Sequence, residues 1–123
     1  MNIAHLCVLI AALLPVLTVG GAKAQPGYDN ASPRAFLGKL DGWRARANWA
    51  HQNHFEAFPP FAAGVILAEL AHAAQSRIDM LAVAFVALRI LYTFIYIGNV
   101  AALRSVIWAC ALACSIWLIL LSL

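Results

Sequence analysis

The sequence predicts an all-α membrane protein, a transmembrane four-helix bundle of up-down-up-down topology in a single domain over residues 1–123. Three observations lead there. The chain is 64% hydrophobic and only 11% charged, against about half and about a quarter in a soluble domain, and its mean hydropathy is +0.84. Apolar runs recur near residues 3–20, 50–74, 79–98 and 104–122, each close to the roughly 20 residues that cross a bilayer. A length of 123 residues leaves little chain beyond those four runs.

The first run is followed by Ala22-Lys23-Ala24, which resembles a signal-peptidase site. Residues 1–6 carry no basic side chain and the apolar stretch is long for a signal, so it reads as a retained helix. Residues 27–33 collect Gly, Asp, Asn, Ser and Pro, which form turns; from Arg34 onward the residues suit a helix. Little stops a helix between Trp43 and the second run. Extended from Arg44 to Ala74 it would measure roughly 45 Å and project beyond the bilayer. Pro59-Pro60 removes two backbone donors, frees the carbonyls of Phe55 and Glu56, and is expected to kink that helix. The third run contains Arg89, and residues 106–123 of the fourth carry no charge. Cys7, Cys110 and Cys114 lie in apolar stretches with no C-x-x-C spacing, which fits small packing residues better than a disulfide framework or zinc site.

The net charge of +3 comes from eight Lys and Arg against five acids. In so apolar a chain these bases report orientation rather than nucleic-acid binding. Four spans put both termini and the loop at Arg77 on one side. Lys23, Arg34, Lys39, Arg44 and Arg46 of the first loop fall on the other side, with Arg104. Six basic residues against one orient the first loop to the cytoplasm and the termini outside.

An ionisable side chain inside a span costs roughly 2.5–3.5 kcal/mol on insertion scales, so Glu56, Glu69 and Arg89 need partners. Arg46, Trp49, Asn53, Glu56 and Pro60 form one stripe on the second helix, with His51, Phe55 and Phe58 off it. Arg89, Tyr92 and Tyr96 form a stripe on the third. Because the two helices run in opposite directions, Glu56 and Arg89 share a depth, and Arg104 opens the fourth helix on the same side. The result is a pocket of guanidinium, phenol, amide and carboxylate groups. Arginines clamp carboxylates and a Glu holds an ammonium group, so a zwitterionic peptide with several carboxylates suits it. A Glu56–Arg89 pair that merely joins two helices explains the same residues equally well, and both readings stand. His51 and His54 have no third ligand beyond Glu56, which favours hydrogen-bonded residues over a metal site. Glu69, His72 and Arg77 form an expected local cluster at the far end.

Two segments resemble the MAPEG family, the membrane-associated proteins in eicosanoid and glutathione metabolism, in its small bacterial branch. They are Arg46-Ala-Asn-Trp-Ala-His51-Gln-Asn53-His-Phe-Glu56-Ala-Phe-Pro59-Pro-Phe61 and Arg89-Ile-Leu-Tyr92-Thr-Phe-Ile-Tyr96, the latter followed by Arg104-Ser105. The resemblance covers most of the chain. It implies a homotrimer in a bacterial inner membrane, with glutathione at subunit interfaces near the cytoplasmic face. Arg46, His51, Asn53 and Glu56 match helix-two positions that contact glutathione, and Arg89, Tyr92 and Tyr96 match those of helix three. Arg104 matches, approximately, the arginine that helps activate the thiol; it and Tyr92 are the implied catalytic residues. Trp49 stands where several transferases carry a second Arg, Ala57 stands where some carry Tyr, and the spacing from Tyr96 to Arg104 differs by one residue from some relatives.

The function implied is a glutathione-dependent transferase or peroxidase acting on hydrophobic, lipid-like electrophiles dissolved in membrane lipid, with glutathione as co-substrate. A thiol of pKa near 8.5 is lowered by adjacent cations, and attack on the electrophile needs no covalent enzyme intermediate. The alternative within the same family is a non-catalytic protein that binds lipid and presents it to a partner. Small four-span drug exporters agree in size only, since they use a carboxylate in the first span and residues 3–20 have none.

Overall fold

The computed structural model describes residues 1–123 and contains five helices: α1 (Ile3–Lys23), α2 (Pro33–Gly38), α3 (Gly42–Leu70), α4 (Gln75–Ile97) and α5 (Ala101–Leu120). Helices α1, α4 and α5 are long and apolar enough to cross a membrane. Helix α3 is the longest, at 29 residues, and more polar, carrying Arg44, Arg46, Glu56 and Glu69. The four long helices alternate in direction. Asn2 at the start of α1 meets Glu69 at the end of α3, and Arg46 near the start of α3 meets Ile97 at the end of α4. Helices α1 and α5 each pack against both α3 and α4, so α3 and α4 are the inner pair.

Local chemistry sets the helix ends. The Asn2 side chain accepts from the His5 amide at 3.0 Å, an N-cap for α1. Pro33 opens α2, where its missing N–H is no loss. The chain then breaks before Gly42, whose φ of +59° falls in the left-handed region that glycine tolerates. Helix α3 stops at Leu70 rather than reaching residue 74, because the chain turns there: Ala73 N–H bonds Ala68 O and His72 N–H bonds Glu69 O, both at 3.0 Å, with His72 at φ 56°. Helix α4 ends the same way, Val100 bonding Ile95 O at 3.2 Å and Asn99 bonding Tyr96 O at 3.0 Å, with Asn99 at φ 64°. These are Schellman turns, closed by two of the residue types that enter the left-handed region most readily. Helix α3 passes through Pro59-Pro60 without interruption.

Two contacts fix α3 among its neighbours. Phe61 stacks on Phe85 of α4 with centroids 3.9 Å apart and planes within 6°. At Gly64 an added Cβ would lie 2.9 Å from Leu118 Cβ and 3.1 Å from Ser115 O, so only a glycine lets the α5 backbone come this close. Ala4, Cys7 and Ala11 bring α1 into the same core. At the loop end Leu37 of α2 joins Val19, Ala22 and Ala47 in a smaller cluster. All three cysteines are free thiols.

The far-end cluster differs from the sequence expectation. Glu69 is held by Asn2 at 3.0 Å, His5 at 2.7 Å and Gln75 at 3.4 Å, and Asp79 accepts from the Ala4 amide and Gln75. His72 and Arg77 are exposed and take no part. The first turn of α1 lies over the end of α3, and that tertiary placement, not sequence proximity, selects the partners of Glu69.

Candidate functional site

The site is built on the facing sides of α3 and α4, one turn above the Phe61–Phe85 stack. Arg89 is 1% exposed. Its Nε donates to His54 Nδ1 at 3.2 Å, and one terminal nitrogen lies 2.9 Å from the same atom and 2.8 Å from Asn53 Oδ1. A guanidinium only donates, so His54 Nδ1 is an acceptor and the ring proton sits on Nε2. That Nε2–H donates to Thr93 Oγ at 2.7 Å, and the Thr93 hydroxyl donates to Arg89 O at 3.0 Å. The loop closes on itself: each buried polar group in it has a partner, as a low-dielectric interior requires. The second terminal nitrogen of Arg89 makes no hydrogen bond.

Glu56 and Arg89 do not pair. The Glu56 carboxylate accepts from Asn53 Nδ2 at 3.2 Å and is exposed on the surface of the chain. Asn53 therefore links them, receiving from the arginine and donating to the carboxylate. The matched depth of Glu56 and Arg89 is present, but His54 fills the space between α3 and α4 and takes the guanidinium.

On the loop side of Arg89 the cations and rings alternate. The guanidinium lies 4.1 Å from the Tyr92 ring centre, Tyr92 and Tyr96 meet edge to face at 5.5 Å, and the Arg104 guanidinium covers Tyr96 at 4.5 Å. Cation–π contacts of this kind gain strength where water is excluded. Tyr92 is buried and Tyr96 and Arg104 are partly exposed. Arg46 Nε donates to Ile97 O at 2.9 Å, satisfying a carbonyl left open at the end of α4.

A cavity of about 280 Å³ opens between α3, α4 and α5. Asn53, Glu56 and Arg89 line it on one side, and Phe85, Trp108 and Leu112 give it an apolar wall, with Ser115 also in the lining. His51 is elsewhere. Its Nδ1–H donates to Pro15 O of α1 at 2.7 Å, and it lines a separate depression of about 450 Å³ with Arg34, Asn48 and Gln52. No three His, Cys, Asp or Glu side chains converge in a metal-binding group.

Compared with protein families, residues 3–123 match the MAPEG family. The chain belongs to that family. No curated protein and no solved structure matches it. MAPEG proteins reside in membranes, and the family includes both glutathione-dependent transferases and non-catalytic members. Of the residues that the resemblance to MAPEG proteins singles out, Asn53, Glu56 and Arg89 share the cavity, and Tyr92, Tyr96 and Arg104 continue from Arg89 as one stack. Arg46 caps α4 beside them, and His51 stands apart on another face of α3.

Sequence reasoning read His54 as a hydrogen-bonded residue, as it is, without finding its partners, and passed over Thr93, Trp108 and Ser115. His54 sits one residue beyond Asn53, about 100° around the helix and so off the stripe. A threonine four residues after the buried arginine was the available signal for its partner. Trp108 and Ser115 lie on a helix whose membrane portion has no charge, which left no pattern to read.

Proposed function

We propose that this chain is a membrane-bound, glutathione-dependent transferase or peroxidase that acts on hydrophobic electrophiles drawn from the bilayer. One observation carries the reading. The partly unclaimed guanidinium of Arg89 and the Asn53–Glu56 pair share a single cavity with an apolar wall of Phe85, Trp108 and Leu112. Such a cavity offers a cation to a peptide carboxylate, a carboxylate to its ammonium group, and a greasy surface to the second reactant. The residues of this chain would bind and orient glutathione, with Arg104 and Tyr92 the groups assigned to stabilising its thiolate.

In this reading α3 is the fourth span and the chain works as a homotrimer, in a bacterial inner membrane, with the first loop cytoplasmic. An exposed Glu56 at bilayer depth supports the trimer, because lipid cannot solvate it. The depression around His51 and Arg34 supports it too, as polar surface available to a neighbouring subunit's peptide. The second reading, a non-catalytic lipid-presenting protein, is favoured by one feature: Tyr92 is covered by Arg89 and His54 and does not line the cavity. Turnover of glutathione with a lipid-soluble electrophile by the purified protein in nanodiscs separates the two. Conjugation or peroxide reduction that is lost in Arg104→Ala supports the enzyme, and glutathione binding without turnover supports the binder.

A further inference from the structure

Four serine and threonine hydroxyls in or beside the long helices share one habit. Thr18 bonds Leu14 O, Thr93 bonds Arg89 O, Ser105 bonds Ala101 O and Ser122 bonds Ile119 O, each turning back onto its own helix. Ser115 does not. It is 1% exposed, its Oγ has no hydrogen-bond partner, and it lines the cavity that Arg89 and Asn53 also line. A buried hydroxyl left unpaired forfeits the solvation it had in water, although the carbonyl one turn back was available to it.

The place of Ser115 in the cavity gives this meaning. On α3 the lining runs from Asn53 to Pro60 and on α5 from Trp108 to Ser115, in each case roughly 10 Å at ~1.5 Å per residue. Because α3 and α5 run in the same direction, Asn53 and Trp108 stand at one end of that lining and Pro60 and Ser115 at the other. At about 280 Å³, and ~30 Å³ for each water-sized group, the cavity has room for roughly nine such groups.

We propose that this cavity takes the hydrophobic second substrate as a linear, lipid-soluble molecule bearing a hydrogen-bond-accepting oxygen, which the Ser115 hydroxyl recognises at the end remote from Arg89. The inference rests on the reading of the site as glutathione-dependent for its role, but not for its chemistry: Ser115 acts as a specificity-determining donor whether or not a thiol is bound. A site that donates to a substrate oxygen discriminates against the analogue lacking it, whereas an apolar pocket scarcely distinguishes the two.

The test uses 2-nonanone and n-decane, which match in size and differ in one oxygen, titrated into the full-length protein in nanodiscs without glutathione, with empty nanodiscs as the blank. Expected is saturable binding of both and a carbonyl stretch of bound 2-nonanone shifted to lower frequency. Ser115→Ala, which deletes the oxygen and leaves the packing at Gly64 intact, should weaken 2-nonanone about three- to tenfold, restore the unshifted stretch, and leave n-decane unchanged. Ala57→Leu, which adds bulk to the cavity wall, should remove both. Equal binding of the ketone to wild type and Ser115→Ala, or no saturable binding of either probe, overturns the proposal. Glutathione titrated separately judges the thiol reading, so either can fail without the other.

Discussion

Arg89 Nε and His54 Nδ1 are 3.2 Å apart, and this bond makes a neutral imidazole, not a carboxylate, the buried partner of the arginine in α4. The histidine is itself held by Thr93, whose hydroxyl returns to the Arg89 backbone. A cation is thereby kept inside the bundle without a neutralising anion, and the side chain is oriented through the nitrogens that His54 and Asn53 claim.

His54→Ala should lower stability by about 3 kcal/mol, the cost of stranding a buried charged donor. His54→Asn, which keeps an acceptor near the Nδ1 position, should recover part of that loss. Unfolding followed by circular dichroism during a titration from mild into denaturing detergent reads both. Equal stability of wild type and His54→Ala would show that Arg89 does not depend on the histidine.

Gly64→Ala should destabilise the α3–α5 contact by about 1–3 kcal/mol, as overpacking does in a filled core. The new Cβ would meet Leu118 Cβ at 2.9 Å and the Ser115 carbonyl at 3.1 Å, and neither is the free end of a flexible side chain. The same unfolding measurement checks it; an unchanged midpoint would mean that the helices separate at no cost.

A cysteine introduced at Ser32, in a chain whose three native thiols are replaced, should react with an impermeant maleimide only from the cytoplasmic side. Six basic residues flank that face against one at the other, and the loop charges orient the chain. Labelling from outside would invert the topology and move the candidate site to the opposite face.

In mild detergent the protein should run as a trimer by light scattering. Glu56, Trp49 and Phe55 are exposed on α3, and a second copy would give the carboxylate the polar surroundings that lipid denies it. A monomer that still binds glutathione would mean that one chain builds the whole site.

Much of this arrangement was legible in the sequence. Hydropathy marked the apolar helices, and 3- and 4-residue spacing collected Asn53, Glu56 and Pro60 on one face and Arg89 with its tyrosines on another. Antiparallel depth matching set Glu56 level with Arg89, which the structure joins through Asn53 rather than directly. What escaped depends on rotation of one helix against the next. His54 and Glu56 lie on different faces of α3, and only the observed packing decides which of them Arg89 meets. The partners of Glu69 required α1 to lie over the end of α3. The role of Ser115 required α5 to approach Gly64 closely, which an uncharged helix does not announce. The helix ends at His72 and Asn99 were hidden for another reason, since left-handed closure by residues other than glycine has a weak sequence signal.

Under the proposed function Glu56 serves a ligand rather than the fold, and Glu56→Gln tests that role most directly because it keeps size and removes charge. With no ion pair to Arg89 and only Asn53 as a partner, the carboxylate is expected to contribute little to the free protein. Calorimetric titration of glutathione into wild type and mutant, beside their unfolding curves, should give a tenfold to hundredfold weaker affinity, about 1.5–3 kcal/mol for one charged hydrogen bond, with stability nearly unchanged. Unchanged affinity together with a large loss of stability would contradict the account and make Glu56 a structural residue.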